Sequence, residues 1–208
     1  MSNQTLKIEK YGDFKSIGTS TKKSIILCAT NRDVTNYVIS LKYRYLKEYS
    51  RIPHYIITKT GTVLQLLNDT DVGYFFQNSE IDNHNIIVCL ENLGWFEKES
   101  QLNGFKDCYG NIYKEVEIFE RKWRDKLLWD VFTEQQTEMT YQLLNKICTE
   151  NNIKKNFIGH NTKVKGFNKF EGVLIRSNIN QKYLDLNPSF DYDYITKQFQ
   201  KDESIRPN

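Results

Sequence analysis

Cys28, His160 and Asp185 are side chains of three zinc-binding types, spread over separate segments of a 208-residue chain. A soft thiolate, an imidazole and a carboxylate can hold that ion with a fourth position open to water, which is what catalysis by zinc requires. Cys28 closes an apolar run, His160 sits in Gly159-His160-Asn161, and Asp185 begins Asp185-Leu-Asn-Pro-Ser-Phe-Asp191. Spacing alone favours a structural reading instead: a buried strand cysteine, a loop histidine and a cap or turn aspartate.

The elements that must position these residues are written in the periodicity. Ser24-Ile-Ile-Leu-Cys28 is a short apolar run suited to a buried strand, and it ends in the polar turn Thr30-Asn-Arg-Asp33. Asp33 can cap the helix predicted by the spacing of Val34, Val38, Leu41 and Tyr45, which ends before Pro53. His54 to Thr58 and Thr62 to Leu67 predict a hairpin turning over Lys59-Thr-Gly61, with Gly61 supplying the positive φ. Asn85 to Glu91 is the most apolar strand and belongs at the centre of a sheet. From about 94 to 132 the pattern is irregular and aromatic, which predicts an inserted hairpin with a turn at Asp107 to Asn111. Thr133-Glu-Gln-Gln136 spells a capping box, and Met139, Leu143 and Ile147 carry a helix to about Glu150. Asn156 to Gly159 predicts a short strand delivering His160, Asp191 to Gln200 a final short helix, and residues 201–208 a frayed tail. The sum is an α/β fold, a mixed central β-sheet flanked by helices, as a single domain over residues 1–208.

Composition excludes several classes of function. A net charge of +3, from 29 basic and 26 acidic side chains, is too small and dispersed for a nucleic-acid footprint. Four cysteines without a C-x-x-C pair read as reduced thiols. The sequence opens without a basic then apolar leader, and no apolar run reaches the roughly 18 residues of a spanning helix. A soluble protein made in the cytoplasm is expected, with no membrane partner. The aromatic stretch Trp95 to Trp129 suits a hairpin core, a glycan-stacking surface or a docking surface for a protein partner.

Pro53-His-Tyr-Ile-Ile-Thr-Lys-Thr-Gly-Thr-Val-Leu-Gln65 resembles the hairpin of N-acetylmuramoyl-L-alanine amidases of the phage-endolysin, muropeptide-amidase and peptidoglycan-recognition-protein (PGRP) type. In the same order, Asn85 to Glu91 is similar to their central strand, Ile158-Gly-His160 to their Gly-His ligand motif, and Asp185 to Asp191 to their closing Asp-Pro-Gly-Pro-x-Phe-Asp. The resemblance covers about residues 24 to 192 and leaves the aromatic insertion without a counterpart. It implies an amidase/PGRP-like fold, with His160 and Asp185 at two zinc positions. The family's first histidine ligand falls on Cys28, which can also bind zinc, and Glu171 is a competing carboxylate in a lengthened segment before Asp185.

Other positions depart from the family pattern. Its general-base glutamate falls on Cys89, which makes Glu91, two residues on and on the same strand face, the substitute. Glu91 equally suits capping the loop at Asn92 or pairing with a cation such as Arg176. Lys182 or Tyr183 would stabilise the oxyanion, and His54 is a candidate for substrate contact or a polar niche in the strand. The resemblance implies zinc-dependent hydrolysis of the lactyl amide between N-acetylmuramic acid and L-alanine of peptidoglycan. The alternative is a degenerate module that binds peptidoglycan without cutting it, or an assembly protein of a phage particle. The implied setting is phage-encoded, either virion-associated or released on lysis.

Overall fold

The computed structural model describes residues 5–46 and 51–204. A short edge strand, β1 (Ile8–Lys10), precedes β2 (Ser24–Ala29), every residue of which is buried. Helix α1 (Val34–Leu46) follows, with Asp33 accepting from the Asn36 backbone N–H at 2.9 Å as its cap. The predicted hairpin is β3 (Tyr55–Ile57) and β4 (Val63–Gln65), joined over Gly61 at φ +81°. A four-residue turn of helix, α2 (Ser79–Asp82), leads to β5 (Asn85–Leu90), also buried throughout. Strands covered on both faces need apolar residues at successive positions rather than alternating ones, which is why these two runs lack a polar face.

Residues 95–130 form a five-stranded antiparallel sheet where a single hairpin is predicted. Its strands are β6 (Trp95–Glu99), β7 (Gly104–Asp107), β8 (Ile112–Tyr113), β9 (Ile118–Trp123) and β10 (Lys126–Asp130), ordered β8-β7-β6-β10-β9. The aromatic residues in part make this sheet's own core: Trp129 is fully buried and donates from Nε1 to the Arg121 carbonyl at 2.7 Å, and Phe96 packs edge-on to Phe105 and Tyr113. At the predicted turn, the Asp107 carboxylate accepts from the backbone N–H groups of Tyr109 and Asn111, which leaves the Cys108 side chain exposed.

Helix α3 (Glu134–Glu150) begins with the predicted capping box, in which the Thr133 hydroxyl and the Gln136 amide each accept from the other's backbone N–H. A further strand, β11 (Gly172–Ile175), runs into the short α4 (Arg176–Ile179), and α5 (Tyr192–Ser204) closes the described chain.

The main sheet runs β1-β4-β3-β5-β2-β11 and is mixed, since β3 and β4 are antiparallel and the other pairs parallel. Ile26, Cys28, Cys89 and Ile56 face α1 with Tyr37, Val38 and Leu41, while Leu27, Val88 and Ile57 face α3 and α5 with Met139, Leu143, Ile195 and Phe199. Period-two alternation thus divides the core into two apolar layers either side of the sheet.

Three expectations need correcting. The strand predicted at 156–159 shrinks to one bridge, Phe157 to Val173, because the backbone turns away at Gly159 with φ +76°. The sheet gains β1 and β11, neither of which is predicted. The tail predicted to fray from 201 continues as helix to Ser204, and residues 205–208 lie outside those described. No helix among the described residues is long and apolar enough to cross a membrane.

Candidate ligand-binding site

Asp185 is fully buried, and both of its oxygens are taken. One accepts from the backbone N–H of Ala29 at the end of β2, at 2.8 Å, and the other accepts from Nε of Arg176. The second bond is also an ion pair. Arg176 occupies the first position after β11, so two neighbouring parallel strands end beside the same carboxylate. Its guanidinium carbon lies 4.4 Å from the centre of the Tyr183 ring, a cation–π contact that fixes the plane of the group. Burial is the largest influence and opposes the Arg176 charge, but Asp185, with Cys28 and Cys89 adding to it, raises the guanidinium pKa.

Cys28 is also fully buried, in register with Cys89 on β5, whose sulfur is 3.5 Å from the Tyr37 hydroxyl. Burial pushes the Cys28 thiol well above its ordinary pKa, and Cys89 adds to the effect.

His160 is placed among aromatic rings. The Trp123 ring is centred 4.8 Å from it and the Tyr192 ring 4.7 Å away, while Nδ1 is buried without a hydrogen-bond partner. Burial, aided by Arg121 and Arg124, pushes its pKa down to about 4. Trp123 comes from the insertion, whose β9–β10 turn at Arg124 and Asp125 has positive φ at both residues. Arg124 donates to the carbonyls of Gln181 and Tyr183 and to the Asn161 side chain, which pins the turn to the loops on either side of the site. The insertion is anchored at its base as well: Lys59 pairs with buried Asp130 at 2.5 Å, and Asn187 donates to the Asp130 carbonyl at 2.9 Å.

The remaining candidates are dispersed. Glu91 accepts from the backbone N–H of Val34 at 2.8 Å with one oxygen and from that of Lys59 at 2.8 Å with the other. It therefore ties the start of α1 to the hairpin turn, rather than capping at Asn92 or pairing with Arg176. His54 is 1% exposed and lies in the interior. Its Nδ1 accepts from Ile87 N–H at 3.0 Å, which leaves Nε2–H to donate to the Asp71 carbonyl at 2.8 Å. Lys182 is exposed, and Tyr183 is 36% exposed with its ring beneath Arg176. Glu171 is exposed and paired with Lys154 at 2.8 Å. The structure thus brings Asp185 and Tyr183 against Arg176, leaves Cys28 beside Cys89 in the layer facing α1, sets His160 against Trp123 and Tyr192, and places Glu91, His54 and Glu171 elsewhere.

Sequence reasoning considers Arg176 only as a partner for Glu91 and misses Arg124 and Asn187. A cation directly after the apolar run Val173-Leu-Ile175 marks a charge at a strand end, and that signal is present in the sequence.

Zinc requires deprotonated donors that converge on one point. Here both oxygens of the carboxylate already serve, one an N–H group and the other a guanidinium, so the position nearest to a metal ligand is occupied by a fixed cation. Among the described residues no three His, Cys, Asp or Glu side chains come together closely enough to hold a metal ion. The residues of this site, as arranged, do not fit zinc.

The architecture is that of peptidoglycan-amidase domains. It superposes on the N-acetylmuramoyl-L-alanine amidase LysC from Clostridium intestinale URNW with a TM-score of 0.59 and 14% identity, covering 94% of this chain and 99% of that one. For AmiD from E. coli, in complex with the substrate anhydro-N-acetylmuramic acid-L-Ala-D-gamma-Glu-L-Lys, the TM-score is 0.52 at 15% identity, over 89% and 60% of the two chains. For the Staphylococcus aureus hydrolase AmiA, in complex with its ligand, it is 0.52 at 10% identity, over 97% and 87%. No curated protein matches the sequence. The N-acetylmuramoyl-L-alanine amidase family matches residues 18–169, and the chain belongs to that family. The match ends before Arg176 and Asp185.

Proposed function

We propose that this chain is a peptidoglycan-recognition module, one amidase-like domain carrying a sheet insertion, which binds muramyl peptides without cutting them through zinc. Membership of the amidase family and the fold shared with muropeptide-bound relatives support the ligand class. The observation that carries the loss of hydrolysis is the commitment of Asp185 to Ala29 and Arg176. A metal ligand must offer a lone pair, and displacing Arg176 would leave a guanidinium buried and unpaired, which is strongly unfavourable. The committed oxygens of Glu91 support the same reading, since a general base must meet a substrate proton or its water. Fold alone does not decide function, and these side chains are what separates this site from a hydrolytic one.

The test has two parts. Purified protein is sedimented with insoluble peptidoglycan, and the supernatant is assayed for newly freed L-alanine amino groups with and without added zinc. Co-sedimentation without amine release is expected. Zinc-dependent release would overturn this in favour of the hydrolytic reading, in which Cys28, His160 and Asp185 are the candidate ligands and Glu91, Lys182 and Tyr183 the candidate assistants.

A further inference from the structure

Arg176 uses only part of its hydrogen-bonding capacity. Nε is spent on Asp185, while the two η nitrogens make no hydrogen bond among the described residues. They are absent from the buried polar atoms that lack partners, so solvent reaches them, although the side chain is only 17% exposed. A guanidinium held at one edge by a carboxylate and across its face by the Tyr183 ring presents its remaining N–H groups in a fixed direction. Asp185 is the counter-ion of Arg176 at its Nε edge. A fixed fork of charged donors is suited to a planar anionic acceptor.

We propose that Arg176 is the ligand-binding cation of this site, its η nitrogens receiving a carboxylate of the muramyl peptide while Nε stays on Asp185. Arg176 thereby takes over two duties a metal would have, as counter-ion to the buried carboxylate and as the positive group facing the ligand's oxygens. This assignment rests on the recognition reading above and names the chemistry of its contact. Because the guanidinium keeps its charge at any pH the fold survives, binding needs neither a metal nor a deprotonated thiol.

The test compares N-acetylmuramoyl-L-alanyl-D-glutamate with the same compound carrying both glutamate carboxyls as amides, titrated calorimetrically into the full chain and into Arg176→Lys. Lysine keeps the charge beside Asp185 but loses the planar fork, and the melting temperature of this variant is measured to check that it is folded. Arg176→Met combined with Asp185→Asn is the second variant, since it removes both charges and leaves neither buried alone. We expect the acid to bind wild type about 10- to 100-fold more tightly than the diamide, the range of charge-assisted hydrogen bonds. Arg176→Lys should keep only part of this preference, the double variant should bind acid and diamide alike, and a chelator should leave wild-type affinity unchanged. Equal binding of acid and diamide by wild type would overturn this assignment and leave peptidoglycan recognition standing. One zinc per chain, with acid binding abolished by chelator, would overturn it in favour of a metal. Failure to bind either compound or intact peptidoglycan would remove the recognition reading and this assignment with it.

Discussion

His54 shows at the scale of one residue how a polar group becomes a fold determinant. Its Nδ1 accepts a backbone N–H and its Nε2–H donates to a carbonyl, so the neutral ring satisfies both bonds and the imidazolium would break the first. Burial, with Lys22 adding to it, lowers its pKa to about 4 from an ordinary 6.5. Between those values the unfolded chain binds the proton that the folded chain refuses. Stability owed to His54 is therefore complete above about pH 6.5 and lost as the pH falls towards 4, amounting to about 3 kcal/mol over the whole window. Thermal denaturation of His54→Gln at pH 7 and pH 4.5 should show a smaller acid loss than wild type. An equal loss in both proteins would remove His54 as the cause. Asp185 makes the contrasting case: its type was legible as a metal ligand, but its bonds to Ala29, 156 positions earlier, and to Arg176 arise only through folding.

At the scale of elements, the insertion is joined to the rest of the fold at two places of different character. Its base is held by the ion pair of partly exposed Lys59 with buried Asp130 and by buried Asn187. Its tip is held by the guanidinium of Arg124 and by the contact of Trp123 with His160. The tip contact leaves Trp123 Nε1 and His160 Nδ1 buried without partners, each a penalty that opening to water would relieve. Arg124→Ala should therefore loosen the tip while changing global stability by no more than about 1 kcal/mol, the range for partly exposed hydrogen bonds. Amide hydrogen exchange should quicken at residues 159–162 and 180–184 but not in β5 or α3. Uniform quickening throughout would mean the clamp holds the whole fold instead.

Across the whole molecule, legibility followed locality. β2, α1, the β3–β4 hairpin, β5 and α3 were readable because each declares itself within one window, by an apolar run, a helical stripe, a turn glycine or a capping box. β1 and β11 were not, since both join the sheet in parallel with strands distant in sequence. The five strands of the insertion were read as one hairpin because their aromatic residues do not alternate cleanly with polar ones. The site was half legible for the same reason: the types at Cys28, His160 and Asp185 could be read locally, whereas the convergence of Arg176, Tyr183 and Asp185 could not.

The four thiols of this chain divide three to one: Cys28, Cys89 and Cys148 are buried, and Cys108 alone is exposed, on the turn between β7 and β8. The natural sequence therefore carries a ready-made attachment point for a fluorophore on the insertion, with no substitution needed. Partial burial and the neighbouring Asp107 raise the Cys108 pKa, so maleimide coupling should be slow near neutrality and quicken in mildly alkaline buffer, and mass spectrometry of the native protein should find one adduct. Two or more adducts would show that the sheet core opens to solvent. A probe so placed would let docking of the insertion against a cell-wall fragment or a protein be followed as a change in brightness or anisotropy.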